Sequence, residues 1–342
     1  MRPLLTVAAY LTAAMALAGE GLVEKREARP ARDIYAANAK LGRGINLGNA
    51  LEAPEEGAWG VRLKAEYFTA IKKAGFATVR LPLRWSAHAG ATAPYTIAPK
   101  FAQRVDWAVD QALANDLNII VNVHHYEEMN AKPEEHLPRL VGLWRQIATR
   151  YKDRPAGVYF ELLNEPRDPL TEAKWNAAVP KLLAAVRETN PTRPVIVGPG
   201  RWNGIAALDQ LELPRDDRNL IVTVHLYEPY EFTHQGAPWS KGSDKWKGRR
   251  WTGTDAEKAA IAKQLERAAA WAKAQDRPVF LGEFGAYREA DLESRARWTR
   301  FVAREAERLG ISWAYWEFCA GFGAYDPKAE AWREALKSAL TD

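Results

Sequence analysis

The sequence predicts an α/β fold, a single-domain (β/α)8 TIM barrel, and three observations predict it. From about residue 33, short β-branched or aromatic runs alternate with longer stretches of helical spacing, the texture of a parallel sheet with crossover helices. Eight such runs can be counted, the number that closes a barrel rather than leaving an open sheet. Polar residues collect at the carboxyl-terminal ends of the runs, which in a barrel share one mouth.

The strand-like runs are Gly44–Asn49, Thr78–Leu83, Asn118–His124, Gly157–Leu163, Pro194–Gly198, Leu220–His225, Pro278–Glu283 and Ser312–Phe318. Helical spacing is plainest in Leu137, Leu140, Val141, Trp144, Ile147, Ala148 and Tyr151. These fall at i, i+3, i+4 and i+7, which lines one face of a helix. Trp175, Val179, Leu182, Leu183 and Val186 repeat the pattern, as do Trp298, Phe301, Val302 and Leu309. Thr254 and Glu257 have the spacing of a capping box that opens the helix before the seventh run. Trp332, Leu336 and Leu340 are expected to form a closing helix, and Pro229 to Gly253 is the longest irregular stretch.

At 342 residues with 47% apolar and 27% charged side chains, the chain suits one large barrel with a soluble surface. The net charge of +5 is scattered among acidic residues. No basic run with interleaved aromatics appears, so nucleic acid is not an expected partner. The single cysteine, Cys319, allows no internal disulfide. Arg2, the apolar stretch Leu4 to Ala18, and Ala16-Leu17-Ala18 have the layout of a signal peptide over residues 1–18, with cleavage after Ala18. A secreted or periplasmic protein is expected, with 19–40 as a lead-in segment and 41–342 as the barrel domain. No later stretch is apolar and long enough for a membrane span, and a monomer is expected.

The strand ends carry Arg80, His124-His125, Asn164-Glu165-Pro166, His225 with Tyr227, Glu283, and Trp316-Glu317. Glu165 and Glu283 each follow a buried run. Cleavage of a glycosidic bond needs a proton donor and a second carboxylate across the sugar, about 5 Å apart for retention of configuration. Either glutamate alone would more simply be an ion-pair partner; together, beside aromatic residues, they point to that chemistry. Arg80 and Tyr227 are expected to hold Glu283 ionised, and Asn164 to bind a sugar hydroxyl.

A competing reading makes His124, His125 and His225 zinc ligands. The first run lacks a His-x-His pair, and no lysine or aspartate completes a binuclear site. Hydrogen bonding to carboxylates and sugar hydroxyls is therefore the preferred role, with no metal or cofactor expected. Of the 14 tryptophans, Trp144, Trp175, Trp298 and Trp332 lie on helix faces that suit the core. Trp59, Trp202, Trp239 and Trp316 sit in strand-following loops or at a strand end, where their faces could stack on sugar rings. There is no Gly-x-Ser-x-Gly, Walker loop or dinucleotide fingerprint.

These motifs together resemble glycoside hydrolase family 5, the cellulase family of clan A. The pieces are Gly44-Ile45-Asn46-Leu47-Gly48-Asn49, Val79-Arg80-Leu81-Pro82, Val123-His124-His125, Leu163-Asn164-Glu165-Pro166, His225-Leu226-Tyr227, Gly282-Glu283-Phe284-Gly285 and Trp313-Ala314-Tyr315-Trp316-Glu317-Phe318. The resemblance implies a retaining double displacement, with Glu165 as acid/base and Glu283 as nucleophile. Arg80, His124, Asn164, His225, Tyr227 and Trp316 match the family's other site positions, and Asn46 and His125 are counted as supporting residues. The implied substrate is a β-1,4-glucan polysaccharide, with mannan or xyloglucan as rivals and an inactive carbohydrate-binding protein as the remote alternative. Leu163, Leu226 and Cys319-Ala320 depart from the usual pattern around the site.

Overall fold

The computed structural model describes residues 33–342; the expected signal peptide lies outside them. Eight parallel strands close a barrel in chain order. They are β1 Arg43–Asn46, β2 Thr78–Leu81, β3 Asn118–Asn122, β4 Val158–Glu161, β5 Val195–Val197, β6 Leu220–Leu226, β7 Val279–Phe284 and β8 Ser312–Tyr315. Each lies inside or within a residue of its expected run, and closure comes from Gly44 of β1 beside Ala314 of β8. The strands are buried almost throughout, as in sheets covered by crossover helices.

The covering helices include α2 Ala65–Lys73, α3 Pro99–Ala114, α5 Pro133–Arg150, α6 Glu172–Arg187, α9 Asp255–Gln275 and α10 Leu292–Arg308, with α1 Ile34–Leu41 leading and α11 Glu334–Thr341 closing. Short helical turns α4 Glu127–Ala131, α7 Gly200–Asn203 and α8 Tyr230–Thr233 follow β3, β5 and β6. The Thr254–Glu257 capping box is formed at the start of α9. Trp144, Trp175 and Trp298 are fully buried, as their spacing predicts. Among the described residues no helix is long and apolar enough to cross a membrane.

Strand period sorts the barrel interior into layers. Ile120, Tyr159, Ile196, Ile221, Phe280 and Ala314 form an apolar cluster with Ile34, Ala37 and Leu41 of α1. Two residues further along the same strands come Asn122, Glu161, Thr223 and Trp316. The interior is thus apolar at the amino-terminal end and polar at the mouth.

Two expectations need revising. The stretch before residue 41, read as a lead-in, folds in part as α1 and plugs the apolar end. Tyr159 donates to the Ala37 carbonyl at 2.8 Å, Thr78 to that of Leu41 at 2.6 Å and Ser312 to that of Asn38 at 2.8 Å. Trp332 is not on the closing helix. It sits in a small hairpin, β9 Tyr325–Asp326 with β10 Ala331–Trp332, and stacks on Phe76 at 5.6 Å. Arg333 is extended (φ −75, ψ 97), so the helix starts only at Glu334.

Leu41 is fully buried in the plug. Leu41→Ala should cost about 2–5 kcal/mol of stability, read as a lower urea midpoint. Because the plug lies at the end of the barrel away from the polar mouth, activity per folded molecule should stay unchanged.

Candidate active site

Arg80 on β2 has no exposed side-chain surface and spends all of its donors inside the barrel. Nε and Nη2 donate to the two oxygens of Glu161 at 2.7 and 2.6 Å. Nη1 donates to Glu283 Oε1 at 2.7 Å and Asn46 Oδ1 at 2.9 Å, and Nη2 also to Asn164 Oδ1 at 2.7 Å. A guanidinium has five N–H donors in a fixed plane, so these acceptors are held to that plane. Burial alone would lower the Arg80 pKa; the Glu161 and Glu283 carboxylates hold it raised.

Glu283 lies one residue before the end of β7, opposite His225 of β6, and a register irregularity brings them level: Val224 pairs with Leu281, but His225 pairs with Glu283. The extra residue is Gly282. A Cβ there would lie 2.4 Å from Thr223 Oγ1, so the bulge needs glycine. Tyr227 donates to Glu283 Oε2 at 2.8 Å.

Glu165 follows β4 in the left-handed region (φ 49), a conformation that costs a non-glycine residue about 1–3 kcal/mol and recurs at functional sites. Its Oε1 lies 2.8 Å from His225 Nδ1. Oxygens of Glu165 and Glu283 and a ring nitrogen of His225 lie within 4.8 Å of one another. The expected meeting of two remote carboxyl groups across the mouth is therefore present.

The two carboxyls differ in surroundings. Burial pushes Glu165 up to about 7, against the pull of Arg167, Arg80 and His125. Burial raises Glu283 as well, opposed by Arg80 and the Tyr227 hydrogen bond. Only Glu283 accepts directly from a guanidinium and a phenol, donors that favour the charged form. Burial lowers His225 to about 4, so it is neutral near pH 7. Such a pair can supply one protonated and one ionised carboxyl together.

The other expected residues divide. His124 is buried beside the site, 3.0 Å from the Asn122 amide, and stacks on Trp316 with centroids 5.8 Å apart. Asn46 is frame rather than lining: it donates to the Gly282 carbonyl at 3.0 Å and accepts from Arg80. His125 lies at the rim, 3.6 Å from Glu127 and edge-on to Trp59 at 5.5 Å. The His124–His125–His225 zinc set is not assembled. Among the described residues Glu165, His225 and Glu283 are the one group whose donor atoms could hold a metal, and a cation there would meet the Arg80 guanidinium that already pairs with Glu283. Trp59, Trp202 and Trp239 are 44%, 55% and 59% exposed. The Trp202 N–H donates to the Pro166 carbonyl at 3.1 Å, next to Glu165. Trp239 packs on Tyr287 at 5.0 Å and Phe322 at 6.1 Å, and Phe322 touches Tyr227.

Two residues escape a reading by strand ends. Glu161, a carboxylate within the apolar run Val158-Tyr159-Phe160-Glu161-Leu162-Leu163, carries a signal in its burial pattern. Asn203 carries none, since its partner His225 is reached only through the fold. Glu317, visible beside Trp316, is a loop anchor: it accepts from the N–H groups of Cys319 and Ala320 at 2.8 Å and Phe322 at 3.0 Å.

The chain resembles known proteins over the same region. Endoglucanase H of Acetivibrio thermocellus is 36% identical over 285 residues, covering 83% of this chain and 30% of that protein. Cellulase/esterase CelE of the same organism is 32% identical, covering 87% of this chain and 38% of its own length. This chain thus spans about a third of those relatives. The crystal structure of endoglucanase Cel5A from the hyperthermophilic Thermotoga maritima is 50% identical with a TM-score of 0.89, covering 90% of this chain and 100% of that one. Residues 41–321 match the family described as cellulase, glycosyl hydrolase family 5. The chain belongs to the cellulase family, glycosyl hydrolase family 5.

Proposed function

We propose that the protein is an endo-acting β-1,4-glucanase that hydrolyses its substrate by double displacement, with retention at the anomeric carbon. The observation that carries this reading is the approach of the Glu165 and Glu283 carboxylates to within 4.8 Å, the separation suited to retaining enzymes. In the first step a Glu283 oxygen attacks the anomeric carbon while the Glu165 proton passes to the departing glycosidic oxygen. In the second, Glu165 takes a proton from water, the water oxygen attacks the same carbon, and the ester to Glu283 breaks. Arg80 and Tyr227 hold Glu283 charged and aimed. Asn164 Oδ1 is occupied by Arg80, so its amide nitrogen is the group it can offer to a sugar hydroxyl. Trp316 and the exposed Trp59, Trp202 and Trp239 are the candidates for stacking on the glycan.

Endoglucanases among the similar proteins support β-1,4-glucan as substrate. Mannan is a second reading, supported by a Thermotoga maritima Cel5A structure in complex with mannotriose, 49% identical to this chain. Export from the cytoplasm is also proposed, on the amino-terminal sequence alone.

Glu283→Ala should lose turnover of carboxymethylcellulose by orders of magnitude, and azide should restore release as an inverted glycosyl azide. Glu165→Ala should lose about 10²–10⁴-fold on polymer yet keep cleaving aryl glycosides whose leaving group needs no proton. Near-normal polymer turnover by both variants would refute the assignment. Because the acid must be protonated in the first step and Glu165 titrates at about 7, kcat/KM should fall as pH rises past that value. Reducing-sugar release from cellulose, mannan and xyloglucan derivatives decides the substrate: a preference for mannan would replace the glucan reading while keeping the mechanism.

A further inference from the structure

After β5 the chain turns through Arg201, Trp202 and Asn203 with φ of 51, 57 and 54. Successive left-handed non-glycine residues are costly, and contacts on both sides hold this turn. Trp202 is tied to Pro166, and Gly204 forms a parallel bridge with His225. The turn delivers the fully buried Asn203 side chain against Gly198. A Cβ on Gly198 would fall 2.1 Å from Asn203 Oδ1 and 2.9 Å from Nδ2, so only glycine admits the amide there.

Asn203 Nδ2 lies 3.3 Å from His225 Nε2, and on the far side of the same ring Nδ1 lies 2.8 Å from Glu165 Oε1. An amide nitrogen only donates. With the amide in this orientation the ring nitrogen that faces it accepts, and the single proton of the neutral ring sits on Nδ1. Turning the amide over would place Oδ1 against Nε2 and move the ring proton there. The Nδ1 lone pair would then face the lone pairs of an ionised Glu165, so that arrangement is disfavoured whenever Glu165 is charged. In the orientation seen, Oδ1 makes no hydrogen bond.

We propose that Asn203 is a positioning residue: it holds His225 in the Nδ1–H tautomer, so that the Glu165 carboxylate has a fixed donor as it forms. The proposal rests on the acid/base reading of Glu165. As the Glu165 proton leaves for the glycosidic oxygen, the carboxylate left behind accepts from Nδ1–H, and His225 neither gains nor loses a proton. Burial keeps that ring neutral, so it acts as an oriented dipole rather than a second acid. Arg80, Arg167 and His125 favour the charge on Glu165, while Glu127 and Glu283 oppose it. Around His225 stand Glu283, Glu161 and Arg80. None of these changes in Asn203→Ala, so a change in the titration of Glu165 in that variant reports the tautomer.

The test combines NMR of the histidine ring nitrogens with leaving-group kinetics on wild type, Asn203→Ala, Asn203→Asp and Glu165→Ala. Wild-type His225 should show a protonated Nδ1 and a bare Nε2. In Asn203→Asp, which keeps the shape and accepts when ionised, Nε2 should become protonated and Nδ1 bare. Asn203→Ala should lose at least about 10-fold in kcat/KM on cellopentaose but less than about 3-fold on dinitrophenyl cellobioside. Its alkaline limb should move to higher pH, because a carboxylate whose donor is no longer fixed in advance is harder to form. A wild-type Nε2–H tautomer, or equal losses on both substrates, overturns the proposal. If Glu165→Ala loses the activated substrate as fully as cellopentaose, the acid/base reading itself has failed. If Glu165→Ala shows the split and Asn203→Ala does not, only the role of Asn203 falls. Should Asn203→Ala not fold, the wild-type and Asn203→Asp spectra still decide.

Discussion

Everything at the mouth is arranged around a guanidinium removed from water. Taking Arg80 into the barrel costs several kcal/mol in lost hydration, and the cost is offset only because each donor meets an acceptor. Those acceptors come from β1, β4, the loop after β4, and β7. The ion cluster therefore couples the closure of the barrel to the placing of Glu283. Removing one partner would leave an uncompensated charge in a low-dielectric interior, which is why such clusters specify geometry more than they add stability.

The same cluster explains why two buried glutamates a few ångströms apart behave differently. Arg80 faces two carboxylates, Glu161 and Glu283. Positive charge is thus already outnumbered before Glu165 is considered. Burial is the largest influence on both glutamates and raises both. Glu165, with neutral His225 as its hydrogen-bond partner instead of a guanidinium, is pushed up to about 7, while Glu283 accepts directly from Arg80 and Tyr227. The asymmetry between the two carboxyls arises from which of them touches Arg80.

Strained backbone recurs where the strands open into the mouth, although Asp116 and Asp276 adopt left-handed angles before β3 and β7 at the other end. Asn49, His125, Glu165 and Arg201–Asn203 all adopt left-handed angles, after β1, β3, β4 and β5. The apolar layer beneath them is regular and sealed by α1. A rigid, well-packed base allows loops at the other end to hold conformations that they would not adopt alone.

The sequence by itself determined the order and number of the strands, the helix faces, and which residues stand at strand ends, because side-chain period is a local property. Arg80, Glu165, His225, Tyr227, Glu283 and Trp316 were legible for that reason. Tertiary structure decided which of them meet. The bulge at Gly282 levels His225 with Glu283, barrel closure brings Glu161 to Arg80, and a left-handed turn carries Asn203 to His225. It also moved Trp332 into a hairpin and left His125 at the rim. Register, closure and desolvation are sums over residues distant in the chain, so neither a carboxylate's partner nor its readiness to ionise can be read from its neighbours in sequence.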